Sequence, residues 1–281
     1  MSILKWLGGK TQLLPQIMNI IPTHIRNYVE PFVGGGSVLL EVCSRIKSGT
    51  IRLTGTITAS DKNPILIHFY LCVQQSPNEL FEEVQRLHKL YIEYTEDEKE
   101  TYYYSIRERF NKEPLGTIKK SAMFLFLNKT CFRGVYREGP HGFNVPFGNY
   151  MQVNIIDKDY LLSVSSLIQN VIFVCRDFTE LFTQKWSKQD FIYFDPPYVP
   201  EDVHSFTNYT VDGFKQEQHL LLFDWCKNLK SAGIPFLLSN SNTNMVREHF
   251  PSREFSIVEV SAKRSIHSKR PQTRTTELFI C

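Results

Sequence analysis

The chain has few of the features that mark secreted, membrane or metal-binding proteins. Its six cysteines among 281 residues form no Cys-x-x-Cys pair and no zinc-like spacing, so we expect reduced thiols. No run of about 18 apolar residues occurs, and no charged and then apolar leader opens the chain. The eight histidines show no metal-ligand spacing, so no metal is implied. We therefore expect an intracellular, soluble protein with no membrane partner.

Two phosphate-binding motifs are also absent. The loop GxxxxGK[ST] of nucleoside-triphosphate sites does not occur, and the three successive glycines at 34–36 do not match G-x-G-x-x-G. At 42% hydrophobic and 22% charged residues, the composition is that of a globular protein with a real core. The net charge is only +3, so any surface that binds a polyanion must be local.

The first 70 residues show the order of elements that begins an α/β nucleotide-binding sheet. A strand predicted at 27–33 runs into Gly34-Gly35-Gly36, and a helix is expected to follow with Ser37 as its cap. A second strand at 57–60 ends at Asp61. Glycines after a strand let the backbone approach a ligand, and a carboxylate at the next strand end suits ribose hydroxyls. A single glycine more often marks a turn, but the combination favours a site for an adenosine without phosphates.

The composition changes after residue 72. Residues 77–110 are polar and predicted to be helical, whereas 128–150 combine glycines and aromatic residues in a pattern typical of a hairpin and loops. Residues 101–150 carry eight Lys or Arg against three Asp or Glu, a local excess of +5. The α/β pattern then resumes, with strands predicted at 171–174, 191–194, 236–238, 257–260 and 278–280 and a helix at 214–231. We predict one catalytic domain, residues 1–72 and 155–281, interrupted by an insertion at 73–154.

Asp195-Pro196-Pro197-Tyr198 carries the clearest chemical signal, because it follows the strand-like residues 191–194. Proline fixes φ and lacks an N–H, so the diproline stiffens the segment and leaves carbonyl acceptors without neighbouring donors. Asp195 and the Pro196 carbonyl can accept both hydrogens of an exocyclic amine while Tyr198 stacks on the ring that bears it. The four residues alone would also suit an ordinary turn.

Six motifs in one order resemble the Dam-type DNA adenine-N6 methyltransferases, the alpha group or D12 class. In chain order they are Lys5-Trp6-Leu7-Gly8-Gly9-Lys10, Glu30-Pro31-Phe32-Val33-Gly34-Gly35-Gly36, Asp61-Lys62-Asn63, Phe143-Asn144-Val145-Pro146-Phe147-Gly148, Asp195-Pro196-Pro197-Tyr198 and Leu238-Ser239-Asn240. The resemblance spans nearly the whole chain. It implies an α/β fold with a Rossmann-like, mixed seven-stranded methyltransferase sheet and an inserted helical and hairpin target-recognition domain. It also implies S-adenosylmethionine as methyl donor, S-adenosylhomocysteine as product, double-stranded DNA as substrate and no metal.

The resemblance also assigns roles to individual residues. It implies a catalytic group of Asp195, Pro196, Pro197 and Tyr198. It implies cofactor contacts for Trp6, Gly9, Lys10, Glu30, Pro31, Phe32, Gly34, Gly36, Asp61, Asn63, Asp177, Phe178 and Asp195. It implies DNA contacts for Lys5, Phe132, Arg133, Val135, Arg137, Asn144, Pro146, Tyr150, Lys269 and Arg270. Some of these assignments have a simpler alternative. Trp6 would fit core packing equally well, Asp177 would fit a surface turn, and Lys269 with Arg270 would fit a solvated loop.

Residues 128–137 resemble the recognition hairpin of the family, and we call them the recognition turn. The resemblance suggests how a target is read. Phe132 falls where the family has an aromatic wedge that enters the base stack, and Arg137 where an arginine reads guanine. Arg133 departs from the asparagine of the GATC-specific branch. We therefore expect a four-base palindrome with adenine second, GATC- or CATG-like, without choosing between them.

Other functions stay open on the sequence alone. A cytosine-N4 or RNA amino-methyltransferase must also polarise an exocyclic amine, although serine or asparagine at position 195 would favour those targets. A non-catalytic DNA-binding subunit of the same fold would tolerate loss of Asp195. We further expect a cytoplasmic, nucleoid-associated or virus-encoded enzyme, a monomer or weak dimer, with a possible restriction endonuclease acting on the same site without forming a stable complex.

Overall fold

The computed structural model describes residues 2–150, 152–200, 214–263 and 274–281. Lys269 and Arg270, which were predicted to contact DNA, lie outside these ranges. The α-helices are α1 (Leu14–Met18), α2 (Ser37–Lys47), α3 (Pro64–Gln75), α4 (Pro77–Glu93), α5 (Glu96–Lys112), α6 (Ile118–Thr130), α7 (Lys158–Leu167), α8 (Gln216–Ser231) and α9 (Asn244–His249). The strands are β1 (His24–Ile25), β2 (Tyr28–Glu30), β3 (Arg52–Leu53), β4 (Ile57–Asp61), β5 (Glu138–Gly139), β6 (Gly142–Phe143), β7 (Val171–Cys175), β8 (Phe191–Phe194), β9 (Phe236–Ser241), β10 (Ile257–Lys263) and β11 (Arg274–Ile280).

A seven-stranded sheet forms the centre of the fold, in the order β10-β11-β9-β8-β2-β4-β7. Strands β9, β8, β2, β4 and β7 run parallel, and β11 is antiparallel to both of its neighbours. The predicted mixed, Rossmann-like sheet is thereby confirmed. From β2 the chain proceeds outward through β4 to β7, and from β8 it proceeds the other way through β9. The direction therefore reverses between β2 and β8, and ligands of such sheets bind at the carboxyl ends of the strands beside that point.

The sequence of β8 shows why this strand lies at the centre. All four residues, Phe191-Ile192-Tyr193-Phe194, are buried. Successive side chains of a strand point to opposite faces. Phe191 and Tyr193 accordingly join one hydrophobic cluster, while Ile192 and Phe194 join a second cluster on the other face beneath α8. A continuous apolar run of this kind is typical of a strand covered on both faces.

The inserted helices share the core of the sheet domain. Helix α6 packs against α3, α4 and α5, and most of its side chains are buried. The ring of Phe124 on α6 lies 5.5 Å from that of Phe69 on α3. A helix buried all round has no amphipathic period, which explains why residues 118–130 gave no helical signal in the sequence. The domain boundaries predicted at 72 and 155 stay a prediction, and α3 continues past the first of them to Gln75.

Several predicted element ends differ from the observed ones. The helical region predicted at 77–110 is two helices, because Thr95 and Glu98 form a capping box that starts α5. Ser37 does not cap α2; it is the first helical residue, and its hydroxyl accepts a hydrogen bond from the Lys10 N–H at 3.1 Å. Within the described ranges, every helix is too short or too polar to span a lipid bilayer.

Gly36 allows a test of how tightly the glycine turn is packed. Its φ is +68°, and a Cβ there would lie 2.6 Å from the hydroxyl of buried Tyr70. Tyr70 cannot easily yield, because it donates to the Gly34 carbonyl at 2.9 Å and stacks on Phe173 at 5.0 Å. We expect Gly36→Ala to lower the free energy of unfolding by about 2–5 kcal/mol. Gly49→Ala, at φ +79° with no atom near its Cβ position, should cost only about 1 kcal/mol. Urea unfolding would measure both; equal losses would contradict the packing argument.

Candidate active site

The candidate site lies where the strand order reverses. Strand β2 ends at Glu30 and its neighbour β8 ends at Phe194, so the segments that follow both strands emerge side by side. Asp195 is the first residue beyond β8. The motifs at 30–36 and 195–198 are therefore brought together by the sheet itself, although about 160 residues separate them along the chain.

An ion pair joins the N-terminal segment to the end of β8. The Lys10 Nζ lies 2.8 Å from Asp195 Oδ1, with 2% and 18% of the two side chains exposed. The same ammonium donates to the Gly8 carbonyl at 2.5 Å. Burial raises the pKa of the Asp195 carboxyl above its ordinary value, and the nearby Lys10 charge opposes that rise. Lys10 therefore favours the ionised carboxylate, which is the form that only accepts hydrogen bonds.

Val199, the residue after the tetrapeptide, has both of its backbone groups hydrogen-bonded by side chains of β9. Asn240 Oδ1 accepts a hydrogen bond from the Val199 N–H at 3.0 Å, and the Ser241 hydroxyl donates to the Val199 carbonyl at 2.5 Å. Pro196 and Pro197 have no N–H to donate, and the bonds that fix the backbone after them are made at Val199. Asn240 belongs to a motif recognised in the sequence, whereas Ser241 was missed.

Tyr198 makes two contacts with charged side chains. Its hydroxyl donates to Glu277 Oε2 at 2.8 Å, and the Lys10 Nζ lies 4.8 Å from its ring centroid. Glu277 was missed by the sequence analysis, which began the last strand at residue 278. The observed β11 begins at Arg274 and carries Glu277 to this site.

The glycine turn after β2 is shaped by neighbouring aromatic rings. Gly34 has φ +46°, and a Cβ on Gly34 or Gly35 would lie 2.8 Å from Trp6 atoms. Trp6 in turn stacks on Tyr136 of the insertion, with centroids 5.9 Å apart, while the Gly9 N–H donates to the Trp6 carbonyl at 3.2 Å. The glycines therefore accommodate protein side chains, and the expected approach of their backbone to a ligand stays a prediction. Trp6 has the packing role that had been considered for it.

Asp61 is oriented by the backbone at the carboxyl end of β4. Its Oδ2 accepts from the Gly34 N–H at 3.1 Å and its Oδ1 from the Asn63 N–H at 3.0 Å. Asn63 caps α3 by accepting from Ile65 and Leu66. Burial raises the pKa of Asp61, and the backbone hydrogen bonds oppose that rise. An ionised carboxylate has about four lone-pair sites, so this one retains acceptor capacity for hydroxyl groups.

The other residues predicted at the cofactor site divide into buried and aromatic groups. Glu30 is buried, accepts a hydrogen bond from the Tyr28 hydroxyl at 2.8 Å, and has a pKa well above its ordinary value because of that burial. Pro31 is buried beside it. The rings of half-buried Phe32 and buried Phe178 lie 5.3 Å apart, beyond the ends of β2 and β7.

Asp177 has a structural role in this arrangement. Its Oδ1 accepts from the Thr179 N–H at 3.0 Å and caps the 3₁₀ turn Phe178–Leu181, and its Oδ2 lies 4.0 Å from the Lys62 ammonium. The turn-carboxylate interpretation therefore describes the observed contacts. A contact between Asp177 and a ligand stays a prediction.

The predicted DNA contacts that the structure describes lie together on the insertion and the N-terminal segment. Lys5, Phe132, Arg137, Asn144 and Pro146 are exposed, while Arg133, Val135 and Tyr150 are half-buried. Phe132 has 47% of its surface exposed, which is unusual for so large an apolar side chain in a core-rich protein.

The tip of the recognition turn is held in a strained conformation. Arg133 has φ +58°, which is uncommon for a residue with a side chain. Its N–H donates to the Tyr150 hydroxyl at 2.8 Å, and its guanidinium lies 4.9 Å from the centroid of the Phe132 ring. Arg137 Nε donates to Asn144 Oδ1 at 2.7 Å across the β5–β6 hairpin. These bonds hold the exposed side chains in place before any ligand binds.

Asn128 connects this turn to the N-terminal segment. Its Oδ1 accepts from the Lys5 N–H at 2.8 Å and its Nδ2 donates to the Lys5 carbonyl at 2.7 Å. The Lys5 ammonium lies 4.4 Å from the Tyr150 ring centroid and donates to the Lys129 carbonyl at 3.2 Å. The segment from Lys5 to Lys10 thus contacts the recognition turn at one end and Asp195 at the other.

Comparison with known proteins places this geometry in a family. The family model of the D12 class N6 adenine-specific DNA methyltransferases matches residues 6–266. The chain belongs to that class. It is 37% identical to the Type II methyltransferase M.MjaIII of Methanocaldococcus jannaschii over 95% of this chain and 92% of that protein. It is 30% identical to the Type II methyltransferase M1.LlaDCHI of Lactococcus lactis over 98% and 93%, and 31% identical to the DNA adenine methylase of Vibrio cholerae over 92% and 88%.

As a D12 methyltransferase the protein is a site-specific enzyme that acts on adenine in DNA. Family membership decides against the cytosine-N4, RNA and non-catalytic readings that the sequence alone left open. Among the described residues of this methyltransferase, no group of three or more His, Cys, Asp or Glu side chains is placed to hold a metal ion.

Lys129, which adjoins the predicted DNA contact Lys5, leads to a prediction about the pH dependence of DNA binding. Burial, together with the nearby charge of Lys5, lowers the pKa of Lys129 to about 8. The ammonium is charged below that pH, attracts phosphate, and becomes neutral above it. We expect affinity for a duplex to fall by up to about tenfold between about pH 7 and about pH 9. Fluorescence anisotropy at constant ionic strength would measure the fall. Lys129→Arg, which stays charged, should flatten the profile, and a wild-type profile equally flat would contradict the assignment.

Proposed function

We propose that this D12 methyltransferase moves the methyl group of S-adenosylmethionine to N6 of an adenine flipped out of duplex DNA. The observation that carries the proposal is the ionic pairing of Asp195 with Lys10 at the end of β8. It supplies a fixed acceptor beside a stiff diproline and an aromatic ring. Such a group fits a planar base with an exocyclic amine.

The residues around the site fit the proposed methyl donor. Asp61 retains acceptor capacity for the ribose hydroxyls, and half-buried Phe32, packed on Phe178, offers an aromatic ring for the adenine. The Lys10 ammonium has three donors, of which Gly8 and Asp195 take two, so a third suits the carboxylate of the methionine part. When bound, the cofactor supplies a methyl group on a positively charged sulfur, open to in-line attack by a nitrogen. The remaining predicted contacts of the cofactor are Trp6, Gly9, Glu30, Pro31, Gly34, Gly36, Asn63 and Asp177.

Asp195 and Pro196 make the target amine reactive. The lone pair of adenine N6 is conjugated with the ring, so N6 is a poor nucleophile. Hydrogen bonds to the Asp195 carboxylate and the Pro196 carbonyl draw both N6 hydrogens out of the ring plane and localise that lone pair. Asp195 is also the nearest acceptor for the proton that N6 loses after its new bond forms. Fixed acceptors and a fixed orientation supply much of the rate of such reactions.

The insertion provides the reader of the target site. An amine inside a duplex is out of reach, so the nucleotide must leave the stack. Exposed Phe132 is placed to fill the gap, with Lys5, Arg133, Val135, Asn144, Pro146 and Tyr150 around it. Arg137 is placed to read guanine in the major groove. We propose a four-base palindrome with adenine second, GATC- or CATG-like.

The names of two relatives support a proposal about the biological setting. Both relatives are named Type II methyltransferases. We propose that a restriction endonuclease acting on the same site accompanies this enzyme without a stable complex. We also propose that the methyltransferase is a monomer or weak dimer and acts inside the cell on double-stranded DNA.

Replacing the proposed acceptor tests the catalytic assignment. We expect Asp195→Asn, which keeps the size of the side chain, to reduce methyl transfer by about a hundredfold to a thousandfold, because a charged acceptor for one N6 hydrogen is replaced by a neutral amide that no longer pairs with Lys10. Incorporation of labelled methyl groups from S-adenosylmethionine would be measured on duplex DNA, adenine-free DNA and RNA. Asp224→Asn, at a carboxylate 70% exposed on α8, is the matched control and should retain full activity. Substantial turnover by Asp195→Asn would refute the assignment.

Arg137 tests the recognition model separately from catalysis. Plasmid methylated by the wild-type enzyme should carry N6-methyladenine at one four-base palindrome, as read by single-molecule sequencing. Arg137→Ala should lose about tenfold to a hundredfold of the discrimination for guanine at one position, since a bidentate arginine contact is removed. Arg86→Ala, at an exposed arginine on α4, should leave the target unchanged. Unaltered specificity in Arg137→Ala would contradict the assigned reader.

A further inference from the structure

Glu277 is a carboxylate near the catalytic group, within the described residues, that no motif of the sequence indicated. It lies on β11, where it is paired in register with Ser241 of β9 and Val260 of β10. Ser241 is also the residue whose hydroxyl holds the Val199 carbonyl. The register of β11 therefore places Glu277 beside the end of the Asp195–Tyr198 segment, and its Oε2 accepts from the Tyr198 hydroxyl at 2.8 Å.

The Tyr198 hydroxyl donates to Glu277 and lies close enough to the Asp195 carboxylate to influence it. That influence lowers the pKa of Asp195, against the larger rise caused by burial. Burial and the two carboxylates raise the pKa of Tyr198 well above its ordinary value, so the phenol keeps its proton. A phenol has one proton to donate. The carboxylate that accepts the hydrogen bond from this phenol has one acceptor site fewer for any other donor.

The ring of Tyr198 is fixed by contacts at different points. Its oxygen lies on the long axis of the ring, so the bond to Glu277 fixes the direction of that axis. The Lys10 Nζ, 4.8 Å from the ring centroid, covers one face. Val199, held by Asn240 and Ser241, fixes the adjacent backbone. A base that stacks on Tyr198 therefore meets the opposite face of a ring whose plane is already set.

We propose that Glu277 is a positioning residue for methyl transfer: it binds the Tyr198 hydroxyl, which sets the stacking plane for the target base and keeps the acceptor atoms of Asp195 open to the amine. This inference rests on the proposed function. Of the two Asp195 oxygens, Oδ1 already accepts from Lys10. A Tyr198 hydroxyl turned toward Asp195 would compete directly for what remains.

A double-mutant cycle between Glu277 and Tyr198 tests the proposal. Glu277→Ala should lower kcat by about tenfold or more, the loss expected for a hydrogen bond to a charged acceptor. Glu277→Gln, which keeps the shape and a weaker acceptor, should lower kcat less. The KM for S-adenosylmethionine should stay within about twofold of wild type in both variants. In a Tyr198→Phe background, which keeps the ring and removes the hydroxyl, either Glu277 change should alter kcat by less than about twofold.

Two controls separate positioning from loss of fold. Glu259→Ala changes an exposed carboxylate on neighbouring β10 that contacts Arg247, and it should leave kcat unchanged. Melting temperatures of all variants would identify any that unfold, and isosteric Glu277→Gln gives the result if Glu277→Ala does not fold.

The outcomes distinguish this proposal from the proposed function. A wild-type enzyme that methylates adenine, with losses at Glu277 that disappear in Tyr198→Phe, supports it. Losses of the same size in both backgrounds would overturn it, because Glu277 would then act by its charge or by stabilising β11. An unchanged kcat in Glu277→Ala would also overturn it. Failure of the proposed function would appear differently, as wild-type enzyme without methyl transfer or as Asp195→Asn with full turnover.

Discussion

The ion pair between Lys10 and Asp195 is the interaction on which the site depends. A carboxylate this little exposed is costly to keep ionised, and burial alone would favour its protonated form. Protonation would convert an acceptor into a donor and disable the site. Breaking a buried pair of this kind by removal of one partner typically costs about 3–5 kcal/mol. The position of the N-terminal segment is therefore a requirement of the chemistry as well as of the fold.

That requirement explains how the surrounding residues are arranged. Ser37, at the start of α2, accepts from the Lys10 N–H, and Trp6 packs onto the glycine turn. Gly34 and Gly36 adopt positive φ where larger residues would collide with Trp6 and Tyr70. The glycine turn, Trp6 and Lys10 are thus one packed unit. Its glycines serve internal packing, whatever ligand contacts they also make.

The central features of the fold and site were predictable from sequence, because they depend on local patterns. The apolar run at 191–194 and the carboxylates at strand ends led to the correct sheet and to Asp61 and Asp195. The features that the sequence analysis missed or assigned wrongly depend on tertiary contacts. Most side chains of helix α6 are buried and show no amphipathic period, and Ser37 accepts a bond from Lys10, 27 residues earlier. Glu277 was missed because β11 starts earlier than its hydrophobic end suggests; its partner Tyr198 lies 79 residues away.

The pair of hydrogen bonds from Asn128 to the backbone of Lys5 has a consequence for protein engineering. The predicted insertion is an obvious unit to exchange between related methyltransferases in order to change the DNA sequence that is methylated. Here Asn128 is hydrogen-bonded to the backbone of Lys5, which lies 123 residues earlier in the chain, and the helices around Asn128 share the hydrophobic core of the sheet domain. A hybrid that exchanges only residues 73–154 would separate Asn128 from the Lys5 backbone to which it is hydrogen-bonded. A functional graft must carry the first ten residues with it.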